Sequence, residues 1–599
     1  MKLRIDIQIM RGIAVLVVVL FHLGFSGFAN GFLGVDLFFV VSGFLMTVLY
    51  KQGKVKEFYL RRAARLLPAY FATIILTLIF SAFITLPAEH SQVALQGVFA
   101  TFFSSNVGFW LTDSYFDSAL FKPLLHLWSL GVEIQFYLIV PLLFWLHWES
   151  KIISLVILMG SLLACLMLTN ISPYSAFFLT PFRIWQFLVG GAVALYLTDK
   201  GAVKYNYPLI GGFGAVSLLA LIAFYPVDGK ALGVIYGHPG IVALLTTLAS
   251  SLVLAFGLPT AFLGTVVAKT VKKIGDWSYS IYLAHFPVIV LYLYQPFSGT
   301  NLSPSGFTDT IILIVLIAIF SALIYLLFDK RRWQFKFSWL PVLITMSLAI
   351  VYISNYFSKQ GHTEKELNLL SYEFDRPLYR CGKMFRFLNP TSDYCELTQL
   401  SVEEKGRILL IGDSHSDSIK ESFVREAERK GIKVYFPIHS PPVLGKTKTE
   451  RILQIADEVD ADTIVAHYRY TNALDILQTD FVKKAQESDI KLYWIATTPN
   501  YDESIPELLW KLKEKLPDSK IPNDTEVAHQ VQEQLSKQGV SYLDPRPVFC
   551  TETEKTEHCK MVHENGKPYY FDRHHLTRTG AKQLETQFGQ WLEEIKYGN

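Results

Sequence analysis

Charge is scarce in this sequence, and neither sign dominates. Lys and Arg number 55 and Asp and Glu 52, so charged residues fill only 18% of 599 positions and leave a net +3. Such a balance implies no nucleic-acid partner, which would call for a concentrated basic surface. Cysteine is scarce as well, with five residues. Cys165 lies in an apolar stretch, while Cys381, Cys395, Cys550 and Cys559 lie in the polar half and would close two short loops. Local pairs of this kind suit an oxidising compartment, with free thiols as the alternative. Internal repeats and low-complexity tracts are absent. The chain also lacks the marks of a cleavable leader: its first apolar run is too long, contains Arg11 and is not followed by a small-residue cleavage site. That run is expected to be a transmembrane helix.

Apolar residues are plentiful, at 51%, and they fill positions 1 to about 357 before the composition turns mixed and charged. Eleven stretches come near the ~20 residues needed to cross a hydrocarbon core: 7–26, 31–50, 67–87, 124–146, 151–169, 177–198, 207–225, 238–257, 276–295, 308–328 and 338–356. Alternate connections are basic. They carry Lys51, Lys54, Lys56, Arg61, Arg62 and Arg65, then Lys151, then Lys200 and Lys204, then Lys269, Lys272 and Lys273, then Lys330, Arg331 and Arg332. The intervening loops, 88–123 and 296–307 among them, carry almost no Lys or Arg. The positive-inside rule then puts the N-terminus in the cytoplasm. An odd number of spans delivers the polar half to the opposite side, which the cysteine pairs also favour.

Several apolar stretches carry ionisable groups, which are costly in lipid and mark pathways or active sites. Arg11 and His22 are separated by ten residues, hence about 20° apart on a helix and about 16 Å along it. The bland reading is an arginine snorkelling to the headgroups and a histidine bonded to a neighbouring helix. The second stretch opens with Gly31, Gly34 and Asp36 and continues to Ser42 and Gly43. Arg61, Arg62 and Arg65 cluster at a membrane surface. His126 and Glu133, seven apart, share one helix face, Arg183 lies in the sixth stretch, and His285 in the ninth.

Residues 407 to about 595 alternate strand-like runs (407–412, 433–438, 462–467, 491–497) with helix-like ones (417–430, 473–488). The alternation predicts a parallel sheet flanked by helices. The run Ile408–Ile411 ends in Gly412-Asp413-Ser414, which places a serine at a helix N-terminus on the carboxyl edge of a sheet. Near the far end, Asp572 and His575 are three apart in a loop, the spacing that lets a carboxylate orient an imidazole facing that serine. His574 is the rival base.

The first 335 residues resemble the membrane-bound acyltransferase-3 family. The likeness rests on the Arg11–His22 spacing, Gly34-Val-Asp36 through Ser42-Gly43-Phe44, Arg62-Ala-Ala-Arg65, His126 through Glu133 to Tyr137, Arg183-Ile-Trp185 and Ser278 through His285. One departure is Asp329-Lys330, where many members have a Glu before a basic pair. The Gly-Asp-Ser and Asp-x-x-His pair resembles the SGNH hydrolases over about 405–595. The combined likeness implies an α-helical polytopic membrane bundle of about eleven transmembrane helices, then an extracytoplasmic α/β, flavodoxin-like three-layer domain. The boundaries are 1–335 for the acyltransferase domain, 336–406 for the eleventh helix and a linker, and 407–599 for the SGNH-like domain.

What the resemblance implies about chemistry is an O-acetyltransferase of the bacterial inner membrane. It would move acetyl from cytoplasmic acetyl-CoA to a surface glycan, lipopolysaccharide O-antigen or peptidoglycan. No cofactor is expected to be permanently bound, and no metal. Arg11, Arg62 and Arg65 would meet the phosphates of coenzyme A, and His22 would act on the thioester, oriented by Asp36 or Glu133. His126, Arg183 and His285 are further candidates in the bundle. Ser414 would be the nucleophile, His575 its base and Asp572 the orienter. The family's glycine and asparagine blocks are unmatched. Gly445 and Asn472 are the nearest candidates, with backbone amides of Ser414 and the loop after the second strand as the other source of an oxyanion hole. Two rivals remain: a proton-coupled transporter with an accessory domain, indifferent to Ser414, and a glycan O-acetyl esterase.

Overall fold

The computed structural model describes residues 4–112, 120–199, 207–227, 233–331, 335–488, 490–512, 519–552 and 557–595. Lys200, Lys204 and Arg332 of the basic loops lie outside the described residues. The chain divides into two compact units, Met1–Gln360 and Gly361–Asn599.

The first unit is helical: α1 Ile5–His22, α2 Leu33–Leu49, α3 Val55–Ile84, α4 Pro87–Thr101, α5 Ser105–Thr112, α6 Leu127–Glu149, α7 Lys151–Ile171, α8 Pro173–Phe178, α9 Ile184–Asp199, α10 Pro208–Phe224, α11 Ile241–Phe256, α12 Thr260–Leu263, α13 Val266–Asp276, α14 Ser278–Tyr292, α15 Phe307–Ile324 and α16 Trp339–Lys359. A helix occupies each of the eleven apolar stretches. Six of them (α1, α3, α6, α7, α15 with its continuation to Asp329, and α16) are at least 18 residues long and apolar enough to cross a membrane; α2, α9, α10, α11 and α14 are apolar but shorter. The first stretch ends at His22, earlier than expected, because Gly24 turns the backbone to φ +74°. His22 therefore closes α1 and is not buried deep within it.

The stretch 88–123, expected as a loop, contains α4 and α5. Polarity hid α4: its polar side chains are answered by those of α3 and α16. His90 joins Ser81 Oγ through Nδ1 and Ser354 Oγ through Nε2, each at 3.1 Å. Thr101 meets Ser347 at 2.6 Å, and Ser91 donates to Asn355 at 2.9 Å. Such pairing removes the cost of burying polar groups between helices. Glycines set the closest packing. A Cβ on Gly43 of α2 would sit 1.9 Å from the carbonyl oxygen of Phe187, and one on Gly190 of α9 2.0 Å from that of Val40, so these helices touch backbone to backbone.

The second unit carries a six-stranded sheet of β1 Tyr394–Glu396, β2 Gly406–Gly412, β3 Ile432–Pro437, β4 Thr463–His467, β5 Lys491–Ile495 and β7 Ser541–Leu543. Its order is β1-β3-β2-β4-β5-β7. A small second sheet joins β6 Ser519–Lys520, β8 Cys550–Glu552 and β9 Glu557–Lys560. Apart from antiparallel β1 the large sheet is parallel, in the 2-1-3-4-5 order of flavodoxin-like folds. Ile408, Leu409, Leu410 and Ile411 of β2 are wholly buried, as a central parallel strand requires. Leu410 faces one apolar core and Leu409 the other, as alternate residues of a strand do.

Residues 361–406 correct the expected linker 336–406, because they belong to this second unit. They include the helix Glu364–Leu370, opened by a Thr363–Glu366 capping box, and the edge strand β1. Cys381–Cys395 and Cys550–Cys559 are both disulfides, and Cys165 is free and buried.

Candidate functional site

In the helical unit a cleft is lined by Arg11, Arg62, Arg65, Ser42, Glu133 and Tyr282, among others. All three arginines expected at the coenzyme thus meet in one place. Arg61 does not join them; it is exposed and pairs with Glu57 at 3.2 Å. The helical spacing of α3 therefore separates a surface arginine from two that face inward. Glu133 accepts hydrogen bonds from Ser42 and Tyr137, so it stays within the cleft and does not orient His22.

Tyr282 links the cleft to a group of three histidines. Its hydroxyl donates to the His126 carbonyl at 2.9 Å and meets Ser129 Oγ at 2.6 Å. Its ring lies 5.7 Å from that of His126 and 5.4 Å from that of His285. His285 Nε2 is 3.3 Å from His22 Nδ1, and its Nδ1 faces the Tyr282 carbonyl at 2.7 Å. The partner of His22 is an imidazole, not the expected Asp36 or Glu133.

Asp36 is occupied elsewhere. It accepts from Arg183 at 2.9 Å and Gln186 at 2.6 Å, and its other oxygen faces His238 Nε2 at 2.9 Å. Asp36 and Arg183 are each 1% exposed, and the guanidinium sits over the rings of Phe39, Trp128 and Phe177. This is a buried ion pair that ties α2 to the segment preceding α9. Sequence reasoning missed its partners: Gln186 lies one turn beyond Arg183, but nothing in the order of residues brings His238 to Asp36.

In the second unit Ser414 opens the helix Ser414–Arg429 directly after β2. The turn is tight because Gly412 allows it; a Cβ there would lie 1.9 Å from the His467 carbonyl oxygen and 1.7 Å from Ser416 Oγ. Asp413 caps the helix by accepting from the His415 amide at 2.9 Å. Its other oxygen accepts from the Arg469 amide at 3.0 Å and Asn472 Nδ2 at 2.7 Å. Below the turn, Arg380 Nη2 donates to the Gly412 carbonyl at 2.8 Å. Arg380 also shares Asp417 with Lys420. Arg380, in the stretch expected as linker, thus braces the nucleophile turn.

His575 Nε2 lies 2.7 Å from Ser414 Oγ, and His575 Nδ1 lies 2.7 Å from Asp572 Oδ2. Asp572 Oδ1 accepts from the amides of His574 at 2.9 Å and His575 at 2.8 Å. Burial opposes the charge on Asp572, yet His575, His574 and these hydrogen bonds hold its carboxyl below the usual carboxylate range. The geometry is that of a nucleophile, a base and an orienter. His574 is not the base: its Nδ1 meets His415 Nε2 at 3.1 Å. Burial, and next the neighbouring His575, push the His574 imidazole down to about 3. Burial likewise lowers His415, followed by His575, His574, His467 and Arg469. His415, read in the sequence only as part of the turn, is thus a neighbour of the triad.

Of the two side candidates for an oxyanion hole, the Gly445 amide donates to the Pro441 carbonyl at 2.8 Å, and Asn472 Nδ2 donates to Asp413 at 2.7 Å. The Ser414 amide belongs to the first turn of its helix, where backbone amides have no partner within the helix.

The family model described as an acyltransferase domain matches residues 4–326. A second, described as an SGNH domain fused to AT3 domains, matches residues 380–590. Among curated proteins, the chain is 32% identical over 306 residues to the peptidoglycan O-acetyltransferase OatA of Listeria monocytogenes, covering 47% of this chain and 49% of that protein. It is 30% identical over 308 residues to the putative peptidoglycan O-acetyltransferase YrhL of Bacillus subtilis, covering 47% and 48%. The chain therefore spans about half the length of the curated relatives it matches. A solved structure, the periplasmic domain of a Salmonella ser. Paratyphi A lipopolysaccharide acetyltransferase, aligns at 17% identity with a TM-score of 0.29, covering 39% of this chain and 98% of that one. With the first model running over more than half of its length and the second over its Ser–His–Asp unit, the chain belongs to the acyltransferase-3 family, in the branch with a fused SGNH domain.

Proposed function

We propose that this protein is an O-acetyltransferase that moves acetyl from cytoplasmic acetyl-CoA to hydroxyls of a surface glycan. The observation that carries the proposal is the continuous hydrogen-bonded set Ser414–His575–Asp572 on a chain of the acyltransferase-3 family. In this reading eleven helices cross the bacterial inner membrane, the N-terminus is cytoplasmic and the SGNH domain lies outside. Arg11, Arg62 and Arg65 bind the phosphates of the coenzyme in their shared cleft. The thioester enters toward His22 and His285, where an uncharged imidazole serves as base or transient acceptor.

Ser414 Oγ then attacks the acetyl carbonyl while His575 Nε2 takes its proton. The bond from the acetyl carbonyl to its previous carrier, the coenzyme A sulfur or the transiently acylated imidazole, breaks; His575 returns the proton to that departing atom, and the acetyl remains on the serine. A sugar hydroxyl attacks the acetyl-serine, gives its proton to His575, and leaves as the O-acetyl ester with Ser414 restored. The names of the relatives favour peptidoglycan as acceptor; lipopolysaccharide O-antigen is the alternative. Glycan analysis of a strain lacking the protein tests the function. Loss of O-acetyl ester supports the transferase, gain supports an esterase, and no change overturns both.

A further inference from the structure

Two arginines beside the Ser414 triad meet no carboxylate among the described residues. Arg425, Arg451, Arg546 and Arg578 each hold one in this domain. Arg469 and Arg573 form no ion pair among the described residues. Arg469 follows β4 at the carboxyl edge of the sheet, the side on which open α/β folds bind ligands. Its amide is fixed by Asp413, the neighbour of the nucleophile. Its guanidinium lies 5.2 Å from the Tyr470 ring centroid, and its Nε is shut off from solvent without a hydrogen-bond partner. Arg573 is exposed and sits between Asp572 and His574; its carbonyl accepts from the Tyr501 amide at 3.0 Å.

The charge of both arginines reaches His574, after burial and the neighbouring His575 and Asp572. That of Arg469 also reaches His415, after burial and the neighbouring histidines. The carboxylates on either side of Ser414 are turned to other donors: Asp413 accepts from two amides and Asn472, and Asp572 accepts from two amides and faces His575. A site for a neutral sugar has no use for two unanswered guanidinium groups, whereas an oxyanion is their ordinary partner.

We propose that Arg469 and Arg573 form an anion-recognising rim on the Ser414 site, and that the acceptor is an acidic glycan with a carboxylate or phosphate near the hydroxyl that is acetylated. This rests on the reading of the Ser414 site as the place where the acceptor binds.

The test is calorimetric titration of the full-length Ser414→Ala protein in detergent with three oligosaccharides: neutral chitotriose, trigalacturonate, and a chitotriose phosphate ester. At least one anionic probe should bind tenfold or more tighter than chitotriose, and which one does so separates a carboxylate from a phosphate. Adding Arg469→Gln or Arg573→Gln should each cut that advantage severalfold, the pair should erase it, and added salt should weaken it. Arg573 is exposed, so its variant reports on binding with the fold intact. Equal or absent binding of both anionic probes, or an advantage untouched by Arg573→Gln, overturns the proposal. Binding needs no acetyl transfer, so a protein that keeps the anionic preference but fails to acetylate glycan refutes the proposed function and leaves this rim standing.

Discussion

Replacing Asp572 by asparagine should disable the site while changing a single atom in kind. The carboxylate has two separate duties. Oδ1 accepts from two amides, those of His574 and His575, at 2.9 and 2.8 Å, and Oδ2 faces His575 Nδ1 at 2.7 Å. An asparagine must keep its carbonyl oxygen toward the two amides, because turning the amide over would set two donors against two donors. Its NH2 group then faces His575 Nδ1, which becomes an acceptor and leaves the ring proton on Nε2. That proton points at Ser414 Oγ, 2.7 Å away, so the imidazole can no longer take the serine's proton. The wrong tautomer costs about 10⁴-fold in the serine protease case, or ~5.4 kcal/mol of transition-state stabilisation at ~1.36 kcal/mol per tenfold. The assay is hydrolysis of a small activated acetyl ester by the full-length protein, with labelling of Ser414 by a fluorophosphonate as a second readout. Both should fall together, with the folded protein unchanged in amount. An Asp572→Asn protein within tenfold of the wild type in either assay would refute the assignment.

The remaining expectations concern the surroundings of the two sites. The folded pKa of His574, about 3, lies below the ordinary ~6.5 of an unfolded histidine. The unfolded chain therefore binds more protons between those values, and stability that is full above ~6.5 is lost as pH falls toward 3. The loss by pH 5 is at most about 2 kcal/mol, and thermal unfolding of the second unit should show it, with a flatter dependence in His574→Gln. Asp36→Ala should lower the amount of folded protein, since leaving Arg183 buried without its partner costs about 3–5 kcal/mol; quantitative immunoblotting of membranes checks it, and normal levels would contradict it. His22→Ala and His285→Ala should each abolish glycan acetylation at normal protein level, measured by ester release from purified glycan. Wild-type acetylation in His22→Ala would make the end of α1 structural.

Much of the second unit was legible because its chemistry is local. The four strands read from the sequence lie within two residues of β2, β3, β4 and β5, since buried parallel strands are short apolar runs bounded by polar ones. Ser414, Asp572 and His575 were found through a turn motif and a three-residue spacing that hydrogen bonding itself demands. What escaped notice was held by long-range pairing. β1 is three residues long and exists because β3 lies beside it, and Arg380 matters only because folding brings it under Gly412. In the helical unit the apolar stretches were clear, but α4 was not, because its polar face is matched by Ser81, Ser347 and Ser354 far along the chain. The choice between Asp36 and Glu133 as partner of His22 likewise turned on helix packing, which gave the role to His285.

On the proposed function, acetyl drawn through the helical half passes over Ser414 to the glycan. The most direct measurement is to feed membrane vesicles containing the full-length protein with radiolabelled acetyl-CoA and to analyse the peptide bearing Ser414 by mass spectrometry. An acetyl ester on Ser414 should accumulate when no glycan is present, decay when glycan is added, and be absent in His22→Ala. Label reaching the glycan in a Ser414→Ala protein, with no acetyl-serine in the wild type, would contradict the account and assign the whole transfer to the helical half.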